Sequence, residues 1–333
     1  MLVDYLRNHL NLRGTKYMCR EGGCGTCIVT ASKSTGEPSI AINSCLVAVL
    51  QCDGWEIITI EGLGNRKKGY HSIQNTLYEQ NGSQCGYCSP GWSMAMYGLL
   101  NQNKKATMLD IEKSLSSNLC RCTGYRPIIE GFKKFGIDAP SECRIKDIED
   151  LTLCKEANKE CNKEDCEEAD WCLLKHEDLF ENETKKIELK DKKTWYRPTS
   201  LNSVLDIFKT IDLCDYMLVG GNTAKGVNPI DDYPSTLIDI NAVPELKVVE
   251  LDQNLIVGAG LPLTDFLNVL KDYGQKVNFE YLQKVHDHVS MIAHIAVRNV
   301  GTIAGNLMIK HTTNSFQSDL FLLLETVGAQ TTI

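Results

Sequence analysis

Apolar positions recur at helical spacing at the start of the chain and then give way to short β-branched runs. Leu2, Val3, Leu6 and Leu10 share one side of a helix, because positions three or four residues apart lie on the same face. The stretches "CIVTASK" and "AINSCLVAVLQCDGWEIITIEG" are rich in Val and Ile and are bounded by Gly, Ser and Pro, which is typical of strands. This pattern predicts a small mixed α/β domain over residues 1–65.

The pattern then becomes helical. Four segments carry it, namely "HSIQNTLYEQNG", "PGWSMAMYGLLNQN", "TMLDIEKSLSSN" and "PIIEGFKKFG". Thr107 with Asp110 three residues later forms an N-terminal capping signal, and Pro127 suits the first turn of a helix. We therefore expect a compact helical domain over residues 66–137.

Helix and strand signals alternate over residues 195–333. "TSLNSVLDIFKTI" and "PLTDFLNVLKDYG" predict helices, whereas "YMLVGG", "TLIDI", "LKVVEL" and "NLIVGAG" predict strands. This α+β pattern is typical of a cofactor domain, but it does not indicate which cofactor.

The stretch between these domains, residues 138–194, is rich in charge and poor in apolar residues. Such a composition buries too little surface to offset the entropy of ordering, so it predicts a mobile acidic linker. Its cysteines are irregularly spaced and lack glycine turns and histidine partners. We interpret these five as free surface thiols: Cys143, Cys154, Cys161, Cys166 and Cys172.

Composition and charge exclude several classes of protein. The chain has 333 residues, 43% apolar and 23% charged, enough for two or three ordinary globular domains. Its net charge of −8 argues against nucleic acid or an anionic membrane as a partner. It has no run of roughly eighteen apolar residues, and its first residues lack the features of a secretion signal. We therefore expect a cytoplasmic protein, with the peroxisome as the alternative location.

The fifteen cysteines are the unusual part of the composition. An odd number argues against complete disulfide pairing, and a chain without a secretion signal is expected in a reducing compartment. Metal ligation therefore becomes the leading explanation for the cysteines of residues 1–135.

The first cysteine set is a C-x4-C-x2-C loop formed by Cys19, Cys24 and Cys27, with Cys45 following after seventeen residues. This is the ligand spacing of a plant-type [2Fe–2S] cluster. The glycines of "CREGGCGTC" supply positive φ angles for a wrapping loop and bare amides that donate to sulfur. Zinc is the alternative, although zinc sites more often repeat C-x2-C pairs. Cys52 also follows Cys45, and spacing alone leaves open which of the two closes the site.

The second cysteine set is Cys85-x2-Cys88 followed, after thirty-one residues, by Cys120-x-Cys122. Both motifs, "CGYCSPG" and "CRCTGYRP", run into a predicted helix start. Two helix N-termini therefore converge on one site, and their positive dipole ends favour anionic thiolates. Four thiolates again suit a [2Fe–2S] cluster, with zinc as the alternative.

Two glycine-containing stretches, "LVGGNTAKG" and "NVGTIAGNLMI", are candidates for binding a phosphate-bearing cofactor. Amides in such turns can cradle a pyrophosphate, although most glycine turns after strands are only turns. Neither stretch matches G-x-G-x-x-G, which disfavours a dinucleotide-binding fold of that type. We interpret His286, His288 and His294 as ordinary helix or loop residues rather than metal ligands.

Taken together, "CREGGCGTC…NSC", "GSQCGYCSPG" and "NLCRCTGYRPI" resemble the paired [2Fe–2S] domains of the xanthine dehydrogenase and aldehyde oxidase family, over residues 1–135. The resemblance implies that Gln84 touches the molybdopterin cofactor. It also implies two ligand sets, one for each cluster: Cys19, Cys24, Cys27 and Cys45 for the first, and Cys85, Cys88, Cys120 and Cys122 for the second.

The resemblance implies an α+β multidomain fold. A ferredoxin-like (β-grasp) [2Fe–2S] domain and a helical-bundle [2Fe–2S] domain precede part of an FAD-binding domain of the vanillyl-alcohol-oxidase (PCMH) type. The residues that would line FAD by this resemblance are Leu218, Val219, Gly220, Gly221, Asn222, Thr223, Ala224, Lys225, Thr302, Ile303, Ala304, Gly305, Asn306 and Asp319. "GNTAKGV" and "GNLMIKH" look more like aldehyde oxidases than xanthine dehydrogenases.

The function implied is an electron relay. In the family, aldehydes or N-heterocycles are hydroxylated at molybdenum, electrons pass through both clusters to FAD, and O2 or NAD accepts them; family members are typically homodimers. This chain offers no candidate base for the substrate chemistry. It departs from the family at both ends, because it lacks the first β-hairpin, stops inside the flavin domain and has no molybdenum domains. We therefore interpret it as a partial chain. The alternatives are a truncated chain without catalysis of its own and, least favoured, a zinc-binding regulatory module.

Overall fold

The computed structural model describes residues 1–34, 36–67, 69–140, 183–230, 232–313 and 315–332, which form three successive units. Most of the predicted acidic linker, with its five cysteines, lies outside the described residues. Among the described residues, none of the helices combines the length and the apolar character needed to span a membrane.

The first unit is a three-stranded antiparallel sheet covered by one helix. Its elements are α1 (Leu2–Asn8), β1 (Ile28–Ser32), β2 (Ile40–Asn43), a 3-10 helix (Val49–Cys52) and β3 (Glu56–Ile58). The strand order is β2-β1-β3, so β1 is central. Leu2 and Leu6 of α1 are buried against Val29 and Ile42 of the sheet, which confirms the apolar helix face.

Two details of this unit differ from the sequence prediction. Leu10 is 36% exposed, because α1 ends at Asn8 and Asn11, with a φ of 57°, turns the chain back. The long apolar run after residue 40 forms strands only at its two ends. Between them the chain turns and enters the 3-10 helix, and this turn carries Cys45 into the interior.

The second unit is helical throughout, as predicted. Its elements are α2 (Ile60–Leu63), α3 (Ser72–Glu79), α4 (Ser89–Gln102), α5 (Met108–Ser114) and α6 (Arg126–Lys133). The Thr107 hydroxyl accepts from the Asp110 N–H at 3.2 Å and caps α5, and Pro127 stands in the first turn of α6. Trp92 of α4 and Phe132 of α6 are fully buried in the core of this unit.

Helix α4 also lies against the first unit, because two of its glycines face that unit. A Cβ atom on Gly98 would be 2.7 Å from the Ala41 nitrogen, and one on Gly91 would be 2.4 Å from the Gly25 carbonyl oxygen. Glycine at both positions lets the helix backbone approach strand β2 and the first cysteine loop closely.

The third unit combines a four-stranded sheet, a β-hairpin and helices. Its elements are β4 (Lys185–Glu188), β5 (Thr194–Arg197), α7 (Leu201–Phe208), β6 (Tyr216–Val219), a 3-10 helix (Thr223–Gly226), β7 (Thr236–Asp239), two short 3-10 segments (Ile240–Ala242 and Pro244–Lys247), β8 (Val249–Leu251), β9 (Leu255–Val257), α8 (Leu263–Tyr273), α9 (Tyr281–Val289), α10 (Ile295–Arg298), α11 (Ile303–Thr312) and α12 (Asp319–Thr326). The sheet order is β4-β5-β7-β6, with β5, β7 and β6 parallel and β4 antiparallel.

Strand β4 falls inside the stretch that the sequence assigned to the linker. Lys185–Glu188 pairs antiparallel with Thr194–Arg197, and the turn between them places Lys192 at a φ of 66°. The ordered part of the third unit therefore begins before residue 195. The high charge of "KKIELKDKK" concealed a strand whose alternate residues, Lys185 and Ile187, are half-buried.

Candidate cluster and flavin sites

The first cysteine loop wraps tightly at the edge of the first unit. Gly22 and Gly25 adopt positive φ angles of 77° and 66°, which fits the role that the sequence gave to the glycines of this loop. The loop brings the Cys19 and Cys24 sulfurs to 3.3 Å from each other. Cys27 and Cys45 are buried next to each other, and the Cys27 thiol donates to the Asn43 Oδ1 atom at 3.8 Å. The four sulfurs thus meet as two pairs.

Backbone amides point at the sulfurs of this loop. The N–H groups of Glu21 and Cys24 both donate to the Cys19 sulfur at 3.4 Å. The neighbouring Cys27 thiol, more than the Gly22 amide, lowers the pKa of Cys45. The proximity of Cys45, together with burial, raises the pKa of Cys27. An amide-lined pocket of thiols suits a negatively charged metal–sulfur group.

Cys52, which spacing left as an alternative to Cys45, lies away from this loop. Its sulfur is 3.6 Å from the Ala48 carbonyl oxygen, and its side chain packs with the apolar core of α1 and the sheet. Burial raises the pKa of Cys52 to about 12, so it stays a neutral thiol. The geometry therefore favours Cys45 as the fourth member of the first set.

The second cysteine set also meets as two pairs. The Cys88 thiol donates to Cys120, and the Cys122 thiol donates to Cys85. Burial, followed by the bond to Cys120, raises the pKa of Cys88 to about 12. Burial also acts to raise the pKa of Cys120, but hydrogen bonds led by the Thr123 hydroxyl lower it overall.

Two helices begin beside these thiols, as the sequence predicted. Helix α4 starts directly after Cys88, and α6 starts four residues after Cys122. The rings of Trp92 and Tyr125, one from each helix start, lie 6.1 Å apart. Cys85 and Cys122 are exposed, and so is Gln84, the residue that the resemblance places at molybdopterin.

Both sets show a two-plus-two arrangement rather than one tight group of four. Within the described ranges, no three His, Cys, Asp or Glu side chains converge closely enough to hold a single metal ion. A tetrahedral zinc ion needs four ligands at one point. A [2Fe–2S] cluster instead takes two thiolates at each of two irons, which is the pairing observed. The residues present therefore fit the two-iron cluster better than zinc.

The two glycine stretches of the third unit lie directly against each other. A Cβ atom on Gly221 would be 1.9 Å from the Val300 carbonyl oxygen, and one on Gly301 would be 3.2 Å from the Thr223 hydroxyl. The sequence placed these stretches about eighty residues apart and proposed that they line one cofactor. The fold brings them into contact.

Two helix starts meet at this contact. The 3-10 helix begins at Thr223 after Asn222, which has a left-handed φ of 55°, and α11 begins at Ile303. Thr302 caps α11 by accepting from the Gly305 N–H at 3.0 Å. The first amides of α11 are already engaged, because those of Ile303 and Ala304 donate to the Leu261 and Ala259 carbonyls at 3.2 and 2.8 Å. The glycine turn that ends at Asn222 and Thr223 is therefore the part that suits a pyrophosphate, and in this respect the residues fit FAD.

The remaining candidates surround this point. Leu218 is 45% exposed at the end of β6, which leaves an apolar side chain free to contact a ring. The Ser318 hydroxyl donates to Asn306 at 2.5 Å, which places Asp319 next to the second stretch. Gly220, Ala224, Lys225 and Ala304 are partly exposed, whereas Val219 and Ile303 are buried under the loops.

Several residues at this site were missed by the sequence analysis. The side-chain amides of Gln51 and Asn241 both donate to the Gly220 carbonyl, at 2.5 and 3.0 Å. The Asn222 amide donates to the Leu46 carbonyl at 2.9 Å. These contacts join the flavin stretch to the first unit directly beside Cys45. A single sequence carries no signal for them, because they depend on how the units dock.

The sequence analysis interpreted His294 as an ordinary helix or loop residue. Its Nε2 atom, however, contacts the Gly22 carbonyl of the first cysteine loop. Val297, three residues later, packs with Cys27, Cys45 and Leu46. The segment around α10 is therefore one of the places where the third unit contacts the first cysteine set.

Comparisons with known proteins agree with this division of the chain. A family model described as "2Fe-2S iron-sulfur cluster binding domain" matches residues 1–50, and "[2Fe-2S] binding domain" matches residues 59–133. A third, "FAD binding domain in molybdopterin dehydrogenase", matches residues 186–333.

Three curated relatives show how far the similarity extends. Indole-3-acetaldehyde oxidase of Zea mays is 33% identical over 100% of this chain and 26% of its own length. Abscisic-aldehyde oxidase of Arabidopsis thaliana is 34% identical over 98% and 25%. Xanthine dehydrogenase of Drosophila pseudoobscura pseudoobscura is 34% identical over 99% and 26%. The chain thus spans about a quarter of the length of the curated relatives it matches.

Proposed function

The chain belongs to the xanthine dehydrogenase and aldehyde oxidase family, and we propose that it forms the electron-relay part of a molybdenum hydroxylase. The predicted fold class, with two [2Fe–2S] domains followed by an FAD-binding domain, is confirmed. The cofactors predicted from the sequence, two [2Fe–2S] clusters and FAD with molybdopterin in the whole enzyme, are those of the family. The observation that carries the proposal is the meeting of eight cysteines as four thiol pairs.

We assign each thiol pair to one iron. Cys19 with Cys24 and Cys27 with Cys45 would hold the first cluster, and this assignment follows from the sulfur contacts of each pair. The second cluster would be held by Cys85 with Cys122 and by Cys88 with Cys120. When bound, the clusters and FAD supply the one- and two-electron chemistry of the relay, and the protein positions them.

The described contacts support a relay in a fixed order. The second cysteine set touches the first through Leu119, whose N–H donates to the Cys24 carbonyl at 2.9 Å. The first set touches the flavin stretches through Leu46, which follows Cys45 and accepts from Asn222. The exposed Cys85 and Cys122 lie at the other end of this series. The proposed order is therefore second cluster, first cluster, flavin.

The flavin stretches would hold FAD through backbone groups and small side chains. The glycine turn that runs from Gly220 to Thr223 lies at the contact between the two stretches and suits the pyrophosphate. Leu218 is the exposed apolar residue beside them. An electrostatic rather than a catalytic role follows for these residues, because none of them carries a base suited to substrate chemistry.

The activity of the whole protein is part of the proposal. We propose hydroxylation of an aldehyde or an N-heterocycle at molybdopterin, with Gln84 beside that cofactor and O2 or NAD as the electron acceptor. The relatives carry aldehyde oxidase and xanthine dehydrogenase names at 33–34% identity, so both substrate classes belong to the proposal. We further propose a homodimer, as the family resemblance implies.

Anaerobic reconstitution of the chain with iron and sulfide tests this function. We expect about four irons per chain, because each of two clusters holds two. Reduction with dithionite should give two distinct electron paramagnetic resonance (EPR) signals, and added FAD should be retained through gel filtration. A colourless protein that binds only zinc and unfolds on chelation would contradict the proposal and favour the zinc module.

A further inference from the structure

His294 reaches from the third unit into the first cysteine loop. Its Nε2 atom lies 2.5 Å from the Gly22 carbonyl oxygen. A carbonyl oxygen only accepts, so Nε2 must carry the hydrogen and donate. The Asn43 amide is 3.5 Å from the same carbonyl and 3.4 Å from Nε2, so the two nitrogens approach the oxygen side by side. Gly22 is thus held by one side chain of its own unit and one of the third unit.

The rest of the imidazole is poorly satisfied. Its Nδ1 atom is buried and has no hydrogen-bond partner among the described residues. Leaving such an atom unpaired is unfavourable, and an apolar side chain would avoid that cost. Burial also lowers the pKa of His294, which keeps the ring neutral with its one hydrogen on Nε2. The hydrogen bond to Gly22 is therefore the interaction that a histidine makes here and an apolar side chain of similar size could not.

Arg298 fixes the turn from which His294 projects. One guanidinium nitrogen, Nη1, donates to three backbone carbonyls, those of Ser290, Ile292 and Ala293, at 3.0, 2.9 and 2.7 Å. Ala293 is held at a φ of 52° next to His294. Because the backbone is clamped immediately before it, the imidazole is presented to Gly22 in a defined position.

Gly22 in turn serves the first cysteine set. It lies between Glu21 and Cys24, whose N–H groups donate to the Cys19 sulfur at 3.4 Å, and its own N–H faces Cys45. Its φ of 77° is a conformation that glycine adopts at little cost. Hydrogen bonds to cluster sulfurs stabilise the reduced, more negative cluster and raise its reduction potential. A contact that fixes Gly22 therefore acts on Cys45 without touching it.

We propose that His294 is a positioning residue that holds Gly22 against the Cys45 sulfur and so raises the reduction potential of the first cluster. The inference rests on the proposed function for the cluster itself. It deepens that function, because a residue of the flavin unit would set the potential of the cluster from which that unit receives electrons.

The test compares the reconstituted full-length chain with its His294→Leu and His294→Gln variants. Midpoint potentials of both clusters are measured by redox titration with dithionite and EPR detection. We expect His294→Leu to reduce the one-electron equilibrium constant of the first cluster about tenfold, which corresponds to about 59 mV. The second cluster should keep its potential. Glutamine also carries an Nε2 donor, so His294→Gln should recover most of the shift.

His288→Leu is the matched control, because His288 is exposed on α9 and should change neither potential. Hydrogen exchange of residues 20–24 in the metal-free chain gives a second readout. There, His294→Leu should speed exchange several-fold and His288→Leu should not. Two results for His294→Leu would overturn the inference. One is unchanged hydrogen exchange of residues 20–24. The other is a first-cluster potential that stays at the wild-type value or shifts by the same amount as the potential of the second cluster. Failure of the wild-type chain to bind iron would instead refute the proposed function, while the exchange experiment would still decide whether His294 anchors Gly22.

Discussion

The backbone N–H of Leu119 donates to the carbonyl oxygen of Cys24 across 2.9 Å, so the residue before Cys120 is bonded to a member of the first cysteine set. The Asn118 side-chain amide makes a parallel contact with the Gly25 carbonyl at 3.3 Å. Helix α4 closes on the same point, with Gly91 against Gly25. These contacts hold the two cysteine sets in one arrangement although they belong to different units.

A Gly91→Ala substitution should separate the two sets. The new Cβ atom would stand 2.4 Å from the Gly25 carbonyl oxygen, and backbone on both sides cannot yield easily. We expect the free energy of unfolding to fall by about 1–3 kcal/mol, as for other overpacked sites. In the reconstituted, fully reduced chain, the spin–spin coupling between the two EPR signals should weaken.

Gly131→Ala in α6 provides the control for Gly91→Ala. Its Cβ atom would meet only side-chain atoms, Gln80 Cγ at 3.0 Å and Thr76 Cγ2 at 3.5 Å, so packing should adjust locally. Spin coupling should then match that of the wild-type chain. Equal coupling in the Gly91→Ala and Gly131→Ala variants would show that this helix contact does not set the distance between the clusters.

Single cysteine substitutions should remove one cluster at a time. Cys27→Ser takes one thiolate from the first set, and Cys88→Ser takes one from the second. Because each set is complete within itself, we expect each variant to lose about half of the iron and one of the two EPR signals. Iron analysis together with EPR of the dithionite-reduced chain measures both outcomes.

Cys52→Ser and Cys214→Ser are the controls for this experiment. Cys52 is packed in the core of the first unit and Cys214 is exposed in the third, and neither joins a thiol pair. Both variants should retain all the iron. If Cys52→Ser lost the first EPR signal while Cys45→Ser kept it, the assignment of Cys45 as the fourth ligand would be wrong.

The cysteine sets and most elements could be predicted because their signals are local. The C-x4-C-x2-C spacing, the Thr107 cap and Pro127 each act over a few residues. In the structure the cysteine loop turns at glycines with positive φ, Thr107 caps α5 and Pro127 lies in the first turn of α6. Strand β4 was missed because composition was weighed over the whole acidic stretch, whereas pairing with β5 depends on a few alternating residues.

The contacts between units could not be predicted from one sequence. Gln51 meets Gly220 from 169 positions away, and His294 meets Gly22 from 272 positions away. Polar side chains at such positions look like surface residues until docking surrounds them. The choice between Cys45 and Cys52 depended on where each side chain points in the folded chain, which spacing does not specify. The Cys52 thiol is buried and directed at the Ala48 carbonyl.

A Gly221→Ala substitution should weaken FAD binding. Its Cβ atom would stand 1.9 Å from the Val300 carbonyl oxygen, so the two flavin stretches would have to move apart. We expect a loss of FAD affinity of at least about tenfold, roughly 1.4 kcal/mol. Gly131→Ala in α6 is the control, because it lies in the second unit, outside the flavin stretches, and its Cβ atom would meet only side-chain atoms of Gln80 and Thr76. FAD fluorescence titration compares the two, and equal affinities would contradict the proposed site.

Asp239 should make the stability of the third unit depend on pH. Its Oδ1 atom accepts from the Asn241 N–H and amide at 3.0 and 2.8 Å, whereas Oδ2 is buried without a partner among the described residues. Burial raises the pKa of Asp239 from 3.8 to about 6. Because the folded value lies above the unfolded one, this carboxyl contributes stability below about pH 4 and loses it as the pH rises through 6.

Asp239→Asn should remove this dependence. Relative to the variant, the wild-type chain should lose about 3 kcal/mol of unfolding free energy between pH 4 and 7, since one pKa unit is worth about 1.4 kcal/mol. Urea unfolding followed by tryptophan fluorescence measures it, because Trp195 lies on the strand next to Asp239. Asp232→Asn is the control, because its effect on the pH profile should have the opposite sign. The Lys193 ammonium lowers the pKa of exposed Asp232, so the smaller stability that this carboxylate contributes is lost as the pH falls. Parallel pH profiles for the wild-type and Asp239→Asn chains would show that the carboxyl is solvated in solution.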